Sequence, residues 1–173
     1  MKILITGGCG FVGSNIAVFL KKKISKVQID TLDNLSRKGS KLNLLRLKKY
    51  GIKNYRYDIG NYSKVKRLPK YHFIIDCCAE AAVEVSKRDV DRVLNTNLVG
   101  TFNLLKKCAE NKSNLIFLSS SRVFSIDLLK TLTKSLKKNI KKKFLINKRL
   151  STVGPKSIYG FTKFSSEELI KEY

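Results

Sequence analysis

The first thirteen residues constrain this chain more than any other stretch. Met1-Lys2-Ile3-Leu4-Ile5-Thr6 reads as a short buried strand, and Gly7-Gly8-Cys9-Gly10-Phe11-Val12-Gly13 leads at once into an apolar helical run. Glycines at 7, 10 and 13 stand where a strand must turn sharply into a helix, and such a turn needs φ values that only glycine reaches cheaply. The missing side chains also let backbone N–H groups approach a pyrophosphate, which rests on the helix N-terminus where the dipole favours negative charge. A glycine triplet alone is weak evidence, because glycine-rich turns occur in ordinary strand-helix units. Here a strand precedes it, a helix follows it, and an acid, Asp33, comes about twenty residues on, behind the apolar run Val27-Gln28-Ile29-Asp30-Thr31-Leu32. A carboxylate in that place accepts hydrogen bonds from the adenosine ribose hydroxyls and favours NAD over NADP.

With 173 residues, 43% of them hydrophobic, the chain supports one folded domain over 1–173 with a real core. The uncharged stretch 3–20 raises the question of a membrane segment or secretion signal. Its four glycines, Thr6, Ser14 and Asn15 fit a phosphate-binding turn and neither alternative, so no membrane partner is expected. Cys9, Cys77, Cys78 and Cys108 form no C-x-x-C pair and have no histidine cluster beside them. Metal binding and a disulfide framework are therefore not expected, and a reducing cytoplasm suits the thiols. Cys77 and Cys78 read as small apolar residues alternating in a strand. Lone His72 is assigned no role.

The formal charge of +23 arises from 36 Lys and Arg against 13 acids. It implies either lysines spread over solvated faces or a field that draws polyanions non-specifically.

Strands and helices alternate along the chain. Strands are expected at 2–6, 27–32, 54–57, 72–78 and 115–118, and helices at 12–23, 41–50, 61–67, 90–110 and 158–172. Leu42, Leu45 and Leu47 supply the apolar side of the second helix, and Val93, Leu94, Leu98, Phe102, Leu105 and Ala109 that of the long one. Near-continuous apolar strands between helices predict an α/β fold, a doubly wound parallel sheet covered on both faces. Residues 125–156 break the pattern. No acid occurs between Asp127 and Glu167, and Lys137-Lys138 and Lys141-Lys142-Lys143 lie among Leu129, Leu132, Leu136 and Ile140. A basic amphipathic helix or an irregular basic flap is expected there.

Tyr159-Gly160-Phe161-Thr162-Lys163 places a phenol and an ammonium at i and i+4, on one face of a helix. A cation near a phenol favours the phenolate, which makes Tyr159 a candidate acid/base for a sugar hydroxyl. Ser119-Ser120-Ser121 ends the fifth strand, where hydroxyls face the ligand crevice of such sheets; serines also terminate strands as ordinary turn residues.

Taken in order, Thr6 to Gly13, Asp33-Asn34-Leu35-Ser36, Tyr57-Asp58-Ile59, Asn97 to Asn103, Ser119 to Phe124 and Tyr159 to Lys163 resemble the extended short-chain dehydrogenase/reductase family, in its NAD-dependent nucleotide-sugar epimerase/dehydratase branch. The stretch Asp33 to Gly39 and the Ser-Arg-Val-Phe run are most similar to CDP-sugar 2-epimerases of the paratose/tyvelose type. The resemblance implies a Rossmann fold with bound NAD and a nucleotide-sugar substrate. It implies that Gly7, Gly10 and Gly13 hold the pyrophosphate with the Phe11 and Val12 backbone, that Asp33, Asn34 and Ser36 serve the adenosine ribose, and that Asp58 and Ile59 meet adenine. Ala79, with Glu80 next to it, packs by the nicotinamide half, and Asn97 is a polar group on the cofactor side. Ser120 matches the catalytic hydroxyl residue best, with Ser119 and Ser121 as competitors. Tyr159 is the acid/base and Lys163 its partner, which also holds the nicotinamide ribose. The implied chemistry is transient oxidation of a sugar hydroxyl followed by epimerisation or loss of water. No Asp-Glu pair stands beside Ser120, which favours the epimerase.

Two departures bear on that expectation. The family's Val-Tyr-Gly is Val123-Phe124-Ser125 here, which removes a hydroxyl. The family is also about twice this length, and the matched part stops just after the Tyr-Lys helix, so the small C-terminal substrate domain is expected to be absent and the fifth strand to end the sheet as an open edge. Three readings follow: a truncated or split epimerase whose substrate half is missing, a NAD-binding remnant without catalysis, or a basic polyanion-binding protein on a borrowed fold; a homodimer or a complementing second chain is the expected partner.

Overall fold

The computed structural model describes residues 1–81, 88–137 and 152–173. Its five strands, β1 (Lys2–Thr6), β2 (Gln28–Leu32), β3 (Lys53–Tyr55), β4 (Phe73–Asp76) and β5 (Asn114–Phe117), form one sheet in the order β3-β2-β1-β4-β5. Every pairing is parallel. The order reverses at β1, between β2 and β4, which is the switch point where such sheets bind ligands at their strands' C-terminal ends. The expected doubly wound parallel sheet is the fold observed, and β5 pairs only with β4 among the described residues.

Alternation along the strands divides the core in two. Ile3, Ile5, Ile29 and Ile75 pack with Ala17 and Val18 of α1 (Phe11–Lys23) and Leu47 of α2 (Ser40–Lys49). Leu4, Leu32 and Ile74 face the other way, onto Val65 of α3 (Tyr62–Lys66) and Leu104 and Cys108 of α5 (Gly100–Asn111). Period-two strands buried on both faces need helices on both faces, and these clusters supply them.

Several expectations are corrected. In α2 the inward positions are Ser40, Leu44 and Leu47, at i, i+4 and i+7, whereas Leu42 and Leu45 are 72% and 58% exposed. The helix starts from Gly39 at φ 91°, and its inward face is the one that carries Leu44 and Leu47 into the cluster with α1 and the sheet. The long helix is not uniform. It comprises α4 (Val90–Leu94), a π-helical turn at Asn95–Val99, and α5. Its buried stripe is Val93, Asn97, Thr101, Leu104 and Cys108, while Phe102 of the expected apolar face is exposed and stacks edge-on against Tyr173. Polar Asn97 and Thr101 face inward because they serve hydrogen bonds, so a hydrophobic count misplaces the face. Cys77 and Cys78 lie beyond the end of β4 and line a cleft instead of alternating in the strand.

In the basic stretch, α6 (Ile126–Lys137) is a helix, and the final helix α7 runs Ile158–Glu172. Lys138, Ile140 and Lys141–Lys143 lie outside the described residues. Among the described residues no helix is long and apolar enough to cross a membrane.

Candidate functional site

A cleft of about 560 Å³ opens at the C-terminal ends of β1, β2 and β4. Gly7, Gly10, Asp33, Asn34, Ser36, Asp58, Ile59 and Ala79, all expected in the site, line it. The β1–α1 turn forms its base, but the glycines act differently from expectation. Only Gly7 has a positive φ, 59°; Gly10 sits at φ −74° and ψ 175°, open to any residue. Gly13 is required by packing, since a Cβ there would stand 2.4 Å from the Gly7 carbonyl oxygen. Gly8, which the fingerprint does not include, is equally tight: its Cβ would meet the Thr31 Cβ at 2.3 Å.

The N-terminus of α1 suits an anion. Gly10 as N-cap offers no side-chain hydrogen bond, and the first turn holds no acid, so the positive end of the helix is not neutralised by its own residues. Phe11 is 83% and Val12 46% exposed, so these residues contribute backbone and not a wall.

Asp33 is held by two backbone donors: the Cys9 amide reaches Oδ2 at 3.0 Å and the Leu35 amide reaches Oδ1 at 2.8 Å. The carboxylate thus locks the glycine turn to the loop after β2 and remains on the cleft. Asn34 donates to Asp58 Oδ2 at 2.9 Å and accepts from the Ser36 amide at 3.0 Å, while the Gly60 amide donates to Asp58 Oδ1 at 2.8 Å. These bonds join the expected ribose and adenine ends of the site. Burial pushes the Cys9 and Cys77 thiols up to about 12, with Asp33 and Asp76 respectively adding to the effect, so both stay protonated.

Asn97, buried in the π-helical turn, ties the site together. Its Oδ1 accepts from the Glu80 amide at 2.8 Å, and its Nδ2 donates to the Glu80 carbonyl at 3.2 Å and to Thr162 Oγ1 at 3.0 Å. Its backbone carbonyl accepts from Thr101 and Ser166. One amide therefore links the segment after β4, the central helix and α7. A π-turn places its side chains off the α-helical register, and such turns recur at functional sites.

Ser120, Tyr159 and Lys163 are not on the wall of this cleft. Ser120 caps the 3-10 turn Ser121–Val123, its Oγ accepting from the Arg122 amide at 3.1 Å. Ser119 donates to Glu167 of α7. Tyr159 lies in the first turn of α7, and Gly160 lets that turn meet the Ser120 segment: a Cβ at 160 would stand 2.2 Å from the Arg122 carbonyl oxygen. Lys163, 2% exposed, donates to the Leu118 carbonyl at 2.9 Å and lies over the Phe117 ring. Its ammonium is engaged at the end of β5. Burial lowers its pKa, opposed chiefly by Asp76. Asp76 is itself buried, which raises its pKa against the pull of Lys163 and of hydrogen bonds from Thr6 at 2.5 Å and the Cys78 amide at 3.0 Å.

Sequence reasoning passed over Arg37, Asp91, Arg92, Asn95 and Thr96, which complete the cleft wall. Arg37 lies in the Asp33–Gly39 stretch but was given no role there; the other four belong to no local motif, and tertiary packing brings them in.

A model of the NAD dependent epimerase/dehydratase family matches residues 3–173. The chain is 38% identical over 134 residues to CDP-paratose 2-epimerase of Salmonella typhi, covering 72% of this chain and 38% of that one. It is 28% identical over 180 residues to dTDP-D-glucose 4,6-dehydratase of Dictyostelium discoideum, covering 99% of this chain and 40% of that one. Among solved structures, the UDP-glucose 4-epimerase of Thermus thermophilus in complex with NAD superposes with a TM-score of 0.74 at 25% identity, over 100% of this chain and 50% of that one. The chain spans half or less of the length of these relatives.

Proposed function

Because this chain belongs to the NAD-dependent epimerase/dehydratase family, we propose that it is the NAD-binding and proton-transferring half of a nucleotide-sugar epimerase. The observation that carries this reading is the cleft at the β1 switch point, with an uncapped helix N-terminus and the Asp33 carboxylate on the same wall. The cofactor of the family is NAD, and the residues present suit it. The α1 N-terminus would hold the pyrophosphate, Asp33, Asn34 and Ser36 the adenosine ribose, Asp58 and Ile59 the adenine, and Ala79 the nicotinamide side. When bound, NAD supplies a hydride acceptor that can serve again as donor.

The chain's own residues handle the proton and the orientation. Tyr159 takes a proton at its phenol oxygen from a sugar hydroxyl as that carbon becomes a ketone, and returns it when the hydroxyl re-forms. Ser120 donates to the same oxygen and fixes its direction. Lys163 leaves the Leu118 carbonyl to meet the nicotinamide ribose and the phenolate; burial works against its charge and Asp76 favours it. Between the two proton transfers the keto sugar turns over, which inverts one carbon. The similarity to CDP-paratose 2-epimerase supports epimerisation, and the lack of an Asp-Glu pair beside Ser120 supports it against dehydration.

The test is incubation of the chain with NAD and UDP-, CDP- and dTDP-hexoses, read by mass and by NMR of the sugar. Supplying the remaining length of a relative in trans tests whether a second chain is needed. A product of unchanged mass and inverted configuration supports the epimerase, whereas a product short of one water refutes it in favour of the dehydratase.

A further inference from the structure

Segments far apart in sequence meet at one carboxylate on the rim of the cleft. Arg37 comes from the loop between β2 and α2, Glu80 from the segment after β4, and Arg92 from α4; all line the cleft. Arg37 Nη2 lies 2.6 Å from Glu80 Oε1, and Arg92 Nη2 lies 2.8 Å from Glu80 Oε2, so each oxygen holds one guanidinium. Glu80 is anchored: its side chain is 6% exposed, and Asn97 grips its backbone at both N–H and C=O. The arginine side chains are 50% and 44% exposed, so solvent reaches the outer side of both ion pairs.

Strand order shows what the bridge crosses. β1 lies between β2 and β4, so a link from the loop after β2 to the segment after β4 passes across the C-terminal end of β1. That is where the glycine turn begins and where the pyrophosphate is expected. The bridge also joins the loop of Asp33, Asn34 and Ser36 to the wall of Arg92, Asn95 and Thr96. The three bridge side chains together carry one net positive charge, while Asp33, Asp58 and Asp91 line the same cleft. Charge-assisted bonds with well-exposed partners are short but readily broken, which suits a contact that must open.

We propose that the Arg37–Glu80–Arg92 bridge is a clasp across the dinucleotide cleft, which opens to admit NAD and retains it once closed. This rests on the cofactor reading above. A clasp slows entry and exit alike, whereas a simple ligand contact slows exit only.

The test loads the chain with NADH, chases with excess NAD, and follows fluorescence for the exit rate; stopped-flow mixing gives the entry rate. Wild type is compared with Glu80→Gln and with Arg37→Ala. Arg37 is a half-exposed loop residue, so its variant decides the matter if Glu80→Gln does not fold. Exit is expected to quicken about tenfold in both variants, the loss of one charge-assisted bond, and entry to quicken as well. Raising KCl from about 0.05 M to about 0.5 M should speed exit in wild type and much less in the variants. Exit that quickens while entry stays unchanged or slows overturns the clasp in favour of a plain ligand contact, and rates matching wild type overturn it outright. Those results leave the cofactor reading standing. If wild type shows no saturable NADH binding, the cofactor reading falls and the clasp falls with it.

Discussion

Two alanine substitutions three residues apart should separate what the glycine turn does for the fold from what it does for the ligand. At Gly13 a Cβ would stand 2.4 Å from the Gly7 carbonyl oxygen and 2.9 Å from the Gly7 carbonyl carbon and the Gly8 Cα. Ordinary contact begins near 3.4 Å, so about an ångström must be absorbed by backbone. That backbone has little room, since Gly7 holds φ at 59° and itself abuts the Cys77 carbonyl. Overpacking of this kind costs about 1 to 3 kcal/mol, and alanine's better helix propensity returns up to about 1 kcal/mol. Because the facing atoms are backbone the upper end applies, leaving a net cost of about 2 kcal/mol, so Gly13→Ala should lower the melting temperature by about 4 to 8 °C. At Gly10 a Cβ would find only the Gly7 oxygen, at 3.1 Å, in a backbone conformation open to alanine. Gly10→Ala should cost less than about 1 kcal/mol of stability through the poorer N-cap. Its methyl group, however, lies on the cleft, where a pyrophosphate must approach the helix N-terminus, and NAD affinity should fall about tenfold or more. Thermal unfolding and NAD titration of both variants decide. If Gly13→Ala melts with wild type, the packing argument is wrong. If Gly10→Ala binds NAD as wild type does, the ligand is not on that turn.

Further outcomes follow from the same geometry. Gly160→Ala, whose Cβ would stand 2.2 Å from the Arg122 carbonyl, should undock the start of α7 from the Ser120 segment; loss of proton transfer with NAD binding kept is the expected signature, checked by turnover against titration. Asn97→Ala should cost about 2 to 4 kcal/mol in denaturant unfolding, because it leaves the buried Glu80 amide and carbonyl without their partners. Stability should fall as pH rises from about 9 towards about 12: the Cys9 thiol ionises in the unfolded chain first, its folded pKa being raised to about 12, so the unfolded state releases the proton earlier and is favoured. Comparison with Cys9→Ala isolates this from lysine titration, and an identical alkaline slope in the two proteins would contradict it.

Local motifs carried much of this site and none of its long-range ties. The Gly7–Gly13 turn and Asp33 were legible because strand, turn, helix, second strand and acid follow one another in a single β-α-β unit whose chemistry is set by spacing, whereas Asp58 came only through the family resemblance. Their reasons were less so: Gly10 needs no unusual φ, and Gly13 is set by contact with Gly7. Near-continuous apolar strands alternating with helices made the parallel sheet legible, whereas the apolar face of the long helix was misread because Asn97 and Thr101 are buried for their hydrogen bonds. The Arg37–Glu80–Arg92 bridge joins residues separated by 43 positions on one side, a pairing no spacing rule reports. Tyr159 and Lys163 do share a helix, yet the ammonium bonds to Leu118, a partner that only the packing of α7 on β5 supplies.

The central claim is that Asp33 and the α1 N-terminus form a dinucleotide site and that the charge of +23 is not what draws the ligand. Calorimetric titration in moderate salt with NAD, NADP and tripolyphosphate, for wild type and Asp33→Asn, tests it most directly. Saturable one-to-one NAD binding, weaker for NADP and weakened by Asp33→Asn, is the predicted result. Equal binding of NAD and tripolyphosphate, unchanged in Asp33→Asn, would contradict it and leave a general polyanion binder.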